Sequence, residues 1–200
     1  MEKARIAVLV SGGGTNLQAL IDAQHSGIIQ SGQIALVISN NPGAYALERA
    51  AKAGIPGMVV AKKECGSQAA FEGRIKQLLE ENKIDLIVLA GFMSILSADF
   101  TNCYPMRILN VHPSLIPSFC GAGFYGLKVH EEALKYGVKV TGATVHFVNE
   151  IPDGGEIIFQ KAVDIYEGDT PEILQRRVME QAEWKILPAA VEKVSRQLVG

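Results

Sequence analysis

The stretch Ile6-Ala7-Val8-Leu9-Val10-Ser11-Gly12-Gly13-Gly14-Thr15-Asn16 passes from an unbroken apolar run into a glycine-rich turn, and a helix-period segment follows to about Ser26. An apolar run without polar alternation marks a strand covered on both faces, as in a parallel sheet flanked by helices. The same order recurs. Ile34 to Ile38 precedes a helical segment from Ala44 to Ala53, and Gly57 to Ala61 precedes one from Ser67 to Asn82. In the latter, Phe71, Ile75, Leu78 and Leu79 mark the buried stripe, and the nearly continuous apolar run from Asp85 to Ala90 comes next. Alternation of this kind predicts an α/β, Rossmann-like, doubly wound and mostly parallel sheet.

Beyond Arg107 to Val111 the pattern changes. A Pro- and Gly-rich segment spans Pro113 to Gly126, and a short helix is expected from Val129 to Tyr136. Two strand-like runs, Thr144 to Val148 and Ile157 to Val163, flank Pro152-Asp153-Gly154-Gly155 and predict an antiparallel C-terminal strand pair. Asp169-Thr170-Pro171-Glu172 then opens a C-terminal helix expected to run to Leu198. One domain over 1–200 accommodates all of this, with an α/β half over 1–111 and a loop, hairpin and helix over 112–200.

Bulk properties narrow the function. Apolar residues at 48% and charged residues at 20% are those of a folding globular chain. A net charge of −2 without blocks of like charge argues against nucleic acid or an anionic membrane as partner. The apolar run at the N-terminus is too short for a signal-peptide core, and no stretch has the length of a membrane span. Cys65, Cys103 and Cys120 are widely spaced, and His25, His130 and His146 lack ligand spacing, so no metal site is expected. A reducing cytoplasm suits the three thiols.

Three constellations carry chemistry. Ser11 to Asn16, between the first strand and the first helix, offers backbone N–H groups, a helix N-terminus and the side chains of Thr15 and Asn16 to an anion. A tight turn without a ligand needs the same glycines, so both readings stand. No Gly-Lys-Ser/Thr follows for a P-loop, and Leu17 occupies the third glycine position of the dinucleotide pattern, which leaves a single phosphate as the fitting anion. Asn110-Val111-His112-Pro113-Ser114 follows a strand at the edge of the sheet where α/β folds bind ligands, and alternation puts Asn110 and His112 on one side. An amide donor beside an imidazole meets the needs of acyl transfer, an oxyanion stabiliser and a proton carrier. Asp153 is either turn chemistry or the carboxylate that keeps His112 charged.

Taken together, Ser11 to Asn16, Ala90-Gly91-Phe92-Met93, Asn110 to Ser114, and His146-Phe147-Val148 leading to Asp153-Gly154-Gly155 resemble the folate-dependent phosphoribosylglycinamide formyltransferases, in order and over nearly the whole chain. The resemblance implies transfer of the formyl group of 10-formyltetrahydrofolate to the amino group of glycinamide ribonucleotide, a step of purine synthesis. It implies that Asn110, His112 and Asp153 are catalytic, and that Gly14, Thr15, Asn16 and Glu183 hold the ribonucleotide. Gln68, Phe92, Met93, Ser94, Ile95, Leu96 and Asn110 would then face the folate. Three departures stand out: Gln68 replaces a family arginine, Trp184 stands where histidine is common in a helix one residue longer, and the Cys120 to Gly126 loop exceeds that of some members. A formyltetrahydrofolate hydrolase shares the surroundings of His112 but carries an added N-terminal domain, and a methionyl-tRNA formyltransferase would need a basic C-terminal domain. A phosphate-ligand sensor is the non-enzymatic alternative. The resemblance leaves monomer or homodimer open.

Overall fold

The computed structural model describes residues 2–200. Seven strands form one sheet in the order β3-β2-β1-β4-β5-β6-β7. They are β1 (Ala4–Val10), β2 (Gly32–Ser39), β3 (Gly57–Val59), β4 (Leu86–Leu89), β5 (Ile108–His112), β6 (Val140–Phe147) and β7 (Ile157–Asp164). The first five are parallel, whereas β6 pairs antiparallel with both β5 and β7. The chain winds outward from β1 to β3 on one side and returns to place β4 on the other. The strand order therefore reverses between β1 and β4, and the crevice beyond their C-terminal ends is where such a sheet receives a ligand.

Helices cover both faces: α1 (Thr15–His25), α2 (Tyr45–Lys52), α3 (Lys62–Cys65), α4 (Gln68–Glu81), α5 (Ala98–Thr101), α6 (Leu127–Tyr136), α7 (Pro171–Val178) and α8 (Trp184–Val199). The core is split by the sheet. On one face Leu17, Leu20, Val178, Leu187 and Val191 pack against Ile6, Val8 and Val88. On the other, the α4 stripe of Phe71, Ile75, Leu78 and Leu79 meets Ala7, Leu9, Ile87 and Ile108. Each large side chain withdrawn from water contributes about 1.5–3 kcal/mol, which fixes α4 in rotation. Ser67 caps it, its Oγ accepting the Ala70 N–H at 3.1 Å.

Several expected boundaries move. The first strand of the expected antiparallel pair begins at Val140 rather than Thr144, because Val140 to Ala143 pair with Lys161 to Asp164. Gly142 permits it: a Cβ there would lie 2.0 Å from the Lys161 carbonyl oxygen. At the other edge β3 ends at Val59, two residues short of the expected Ala61. The C-terminal helix is interrupted at Met179–Glu183 by a π turn, which absorbs one extra residue within a continuing helix.

Candidate active site

The C-terminal ends of β1, β4 and β5 deliver three segments to one crevice. The turn after β1 carries Ser11 to Asn16, the segment after β4 carries Gly91 to Leu96, and β5 ends on Asn110 and His112. A pocket of about 640 Å³ lies there, and its wall includes Asn16, Phe92 to Ile95, Asn110, His112, Asp153 and Glu183. Residues from five parts of the chain thus face one space.

At its centre the carboxylate of Asp153 sits between two imidazoles. Its Oδ2 lies 3.5 Å from His112 Nδ1, and its Oδ1 lies 3.7 Å from His146 Nε2. The Gly121 backbone N–H donates to Oδ2 at 2.8 Å. Burial alone would raise the Asp153 carboxyl, but His146, the charge of His112 and the Gly121 amide outweigh it and hold the group below the usual carboxylate range. Asp153 itself takes a positive φ of 55°, and a Cβ on the nearby Gly155 would lie 1.7 Å from the Phe147 carbonyl oxygen. The Asp-Gly-Gly turn is therefore both a turn and the device that aims the carboxylate inward. The second nitrogen of His112, Nε2, lies 2.8 Å from the Phe119 carbonyl oxygen. Both of its ring nitrogens face acceptors, an arrangement that suits the doubly protonated imidazolium.

His146, on β6 beside the site, orients Asn110. Its Nδ1 lies 2.8 Å from the Phe147 carbonyl oxygen and so carries the proton, which leaves Nε2 to accept from the Asn110 side-chain N–H at 3.1 Å. One amide hydrogen is thereby fixed and the other is free for a ligand oxygen in the pocket. The signal available in the sequence was β-pairing: Asn110 and His146 are cross-strand partners in β5 and β6.

His130, on α6, is fully buried, and neither ring nitrogen has a hydrogen-bond partner in the chain. Burial, joined by the charge of His112, lowers it to about 4, so it stays neutral at physiological pH.

At the far end, Asn16 Nδ2 donates to Glu183 Oε2 at 2.7 Å, and Asn16 Oδ1 has no partner in the chain. Glu183 is buried, not the solvated helix charge that its sequence setting allows. The π turn and the first turn of α8 carry it inward, with the indole N–H of its neighbour Trp184 buried and unpartnered. Burial pushes Glu183 from 4.5 up to about 7, against the smaller effect of the Asn16 bond. The unfolded chain loses this proton at the lower pH and the folded chain at the higher, so stability falls as pH rises through that window. At about 1.4 kcal/mol per unit, the ionised group costs the fold about 3 kcal/mol. Glu183→Gln keeps the bond from Asn16 and removes the charge. Urea unfolding should therefore show the variant gaining about 3 kcal/mol on the parent between pH 4 and pH 8, and a constant difference across that range would contradict the buried charge.

The turn at Ser11 to Asn16 has the shape of a cradle. Gly14 adopts φ 72°, and a Cβ there would meet Ala46 Cβ at 2.6 Å. Arg49 holds the turn from beneath, its Nε donating to the Gly13 carbonyl at 2.8 Å. Gly14→Ala should cost about 1–2 kcal/mol from the left-handed backbone alone, with a further penalty from Ala46. Denaturant unfolding measures the sum, and an unchanged midpoint would contradict the geometry.

Two residues expected at the folate wall are placed differently. Leu96 is 8% exposed and packs into the α4-side core instead of facing the pocket. Gln68 is not on the pocket wall either; its Nε2 donates to Glu72 Oε1 at 2.5 Å and to the Ile95 carbonyl at 3.1 Å. Thr15 points away toward Met179, with Oγ1 3.7 Å from the sulfur. Among the described residues no cluster of His, Cys, Asp and Glu could hold a metal ion, and no helix is long and apolar enough to cross a membrane.

A family model described as formyl transferase matches residues 4–191. The chain belongs to the formyl transferase family. Among relatives, phosphoribosylglycinamide formyltransferase of Haemophilus influenzae is 44% identical over 188 residues, covering 94% of this chain and 85% of that protein. The human trifunctional purine biosynthetic protein adenosine-3 is 48% identical over 194 residues, 97% of this chain. The chain spans only 18% of that trifunctional protein's length. Glycinamide ribonucleotide transformylase 1 of Symbiobacterium toebii superposes with a TM-score of 0.91 at 42% identity, over 98% of this chain and 89% of that one. That structure and this chain thus share one fold.

Proposed function

We propose that this chain transfers the formyl group of 10-formyltetrahydrofolate to the amino group of glycinamide ribonucleotide, as a cytoplasmic monomer or homodimer. The observation that carries the reading is the pocket itself: Asn110, His112 and Asp153 stand between an apolar wall at Phe92 to Ile95 and a polar end at Asn16 and Glu183. The folate ring suits the wall, with backbone groups of 92–95 for its polar edge, and the ribose hydroxyls suit Glu183 and Asn16. Gly14, Thr15 and Asn16 then cradle the phosphate through backbone N–H groups at the start of α1. The substrate amine attacks the formyl carbon, and the carbonyl electrons move to an oxygen held by the free Asn110 N–H and the His112 imidazolium. As the carbon–N10 bond breaks, N10 gains a proton and the amine nitrogen loses one, so the group moves without net consumption of acid. Asp153 keeps His112 charged and oriented throughout. His112 Nε2 exchanges its bond with the Phe119 carbonyl for the formyl oxygen, so the 113–126 segment shifts when the donor binds.

A formyl-transfer assay with and without glycinamide ribonucleotide tests the assignment. Turnover that depends on the acceptor supports it. Turnover without acceptor identifies a hydrolase, and none at all favours a ligand sensor.

A further inference from the structure

The segment 92–97, whose residues 92–95 line the pocket, belongs to no helix or strand, so side chains outside it set its shape. Three anchors hold it. Ser11 Oγ accepts the Met93 N–H at 2.8 Å, and Asn40 Nδ2 donates to Ser94 Oγ at 2.8 Å. The third anchor is Glu72 on α4. Its Oε1 accepts from the Ser97 backbone N–H at 2.6 Å and from Gln68 Nε2 at 2.5 Å, and its Oε2 accepts from the Ser97 hydroxyl at 2.5 Å. Gln68 passes the link on to the Ile95 carbonyl at 3.1 Å.

Glu72 is 5% exposed, and no Lys or Arg among the described residues pairs with it within ion-pair distance. Burying an unpaired carboxylate is costly unless hydrogen bonds satisfy it, and here every bond leads directly or through Gln68 to one loop. Helix α4 does not need it, since Phe71, Ile75, Leu78 and Leu79 already seat that helix on the sheet. Three donors converge on two oxygens, a pattern that suits a carboxylate and that an amide meets only in part. Burial would raise the group, yet the Ser97 bonds, Gln68 and the charge of Lys76 bring it below the usual range, so it is ionised in the working protein.

We propose that Glu72 is a positioning residue for the formyl donor: through Ser97 and Gln68 it fixes the spacing and backbone direction of the 92–95 wall against which the folate binds. This rests on the folate reading of that wall. It also assigns Gln68 a part other than direct contact with the folate's glutamate tail.

The test compares Glu72→Gln with the parent in steady-state kinetics and in equilibrium dialysis of 5-formyltetrahydrofolate, a non-transferring isomer of the donor. Expected are a donor KM and a dialysis Kd raised tenfold or more, an acceptor KM within twofold and a thermal midpoint within a few degrees. Equal rises in both KM values, or an unchanged donor KM in an active enzyme, would overturn the proposal. Should Glu72→Gln fail to fold, Gln68→Ala removes one of the three donors to Glu72 and with it the relay to Ile95, and should raise the donor KM two- to fivefold; no change overturns the idea. A parent inactive in transfer and without affinity for the isomer sinks the folate reading alone. In that event hydrogen exchange decides: peptide 92–97 must exchange at least tenfold faster in whichever of the two variants folds, with the α4 core unaltered, or the clamp is refuted.

Discussion

Asp153→Asn is expected to lower kcat by about 10³–10⁴, the scale seen when an acid–base histidine loses its orienting carboxylate. The structure explains why an isostere would fail. Asp153 Oδ2 accepts from the Gly121 N–H and faces His112 Nδ1, and the negative charge of the carboxylate stands behind that ring. An amide carries one oxygen. Turned one way, an N–H₂ group meets the Gly121 donor and the His112 ring; turned the other, the oxygen remains there without its charge. His112 loses the negative partner that favours its charged form, and the oxyanion loses that charge in turn. The fold should survive, because the carboxylate stands at the pocket and outside both apolar clusters. Stopped assays at saturating donor and acceptor, with circular dichroism as the control for folding, would measure this. A kcat within tenfold of the parent would remove Asp153 from the chemistry.

The second large effect is predicted for Asn110→Ala, with kcat reduced about 10²–10³ and both KM values changed little, because the lost N–H acts on charge that develops only in the transition state. Asn110 is half-buried on β5, between the buried Leu109 and Val111, so the strand keeps its seat when the side chain is shortened. Its cost to stability is the stranded acceptor of His146, about 1 kcal/mol. The two variants also test how the site is wired. Asn110 and Asp153 both touch His146, so the double variant should lose less than the product of the single losses. Losses that multiply would mean the two side chains act independently, and the bridging role of His146 would fall.

Much of the fold was legible because period and punctuation are local. Five apolar runs flanked by helix-period segments specify parallel strands buried on both faces, and Ser67 or Thr170 announces a helix through its own cap. The errors fell where a partner decides. Val140 to Ala143 read as loop because Gly142 lowers strand propensity, yet that glycine is what lets Lys161 approach. The helices α3 and α5, of four residues each, leave too short a periodic trace to be read.

By itself the sequence determined an α/β sheet with its ligand edge at the ends of β1, β4 and β5, a glycine cradle, and an amide and imidazole side by side on one strand. Those features depend on neighbours within a few residues. Only the tertiary structure decided that Asp153 reaches His112, that His146 lies between Asn110 and Asp153, that Glu183 is buried against Asn16, and that Glu72 and Gln68 brace the segment 92–97. Asn16 and Glu183, Glu72 and Ser97, Asn110 and His146, and His112 and Asp153 are separated by 25 to 167 positions. Strand alternation and helix period describe which face a side chain takes; they hold no information on which distant face is brought against it, and that is settled by how the sheet is wound and packed.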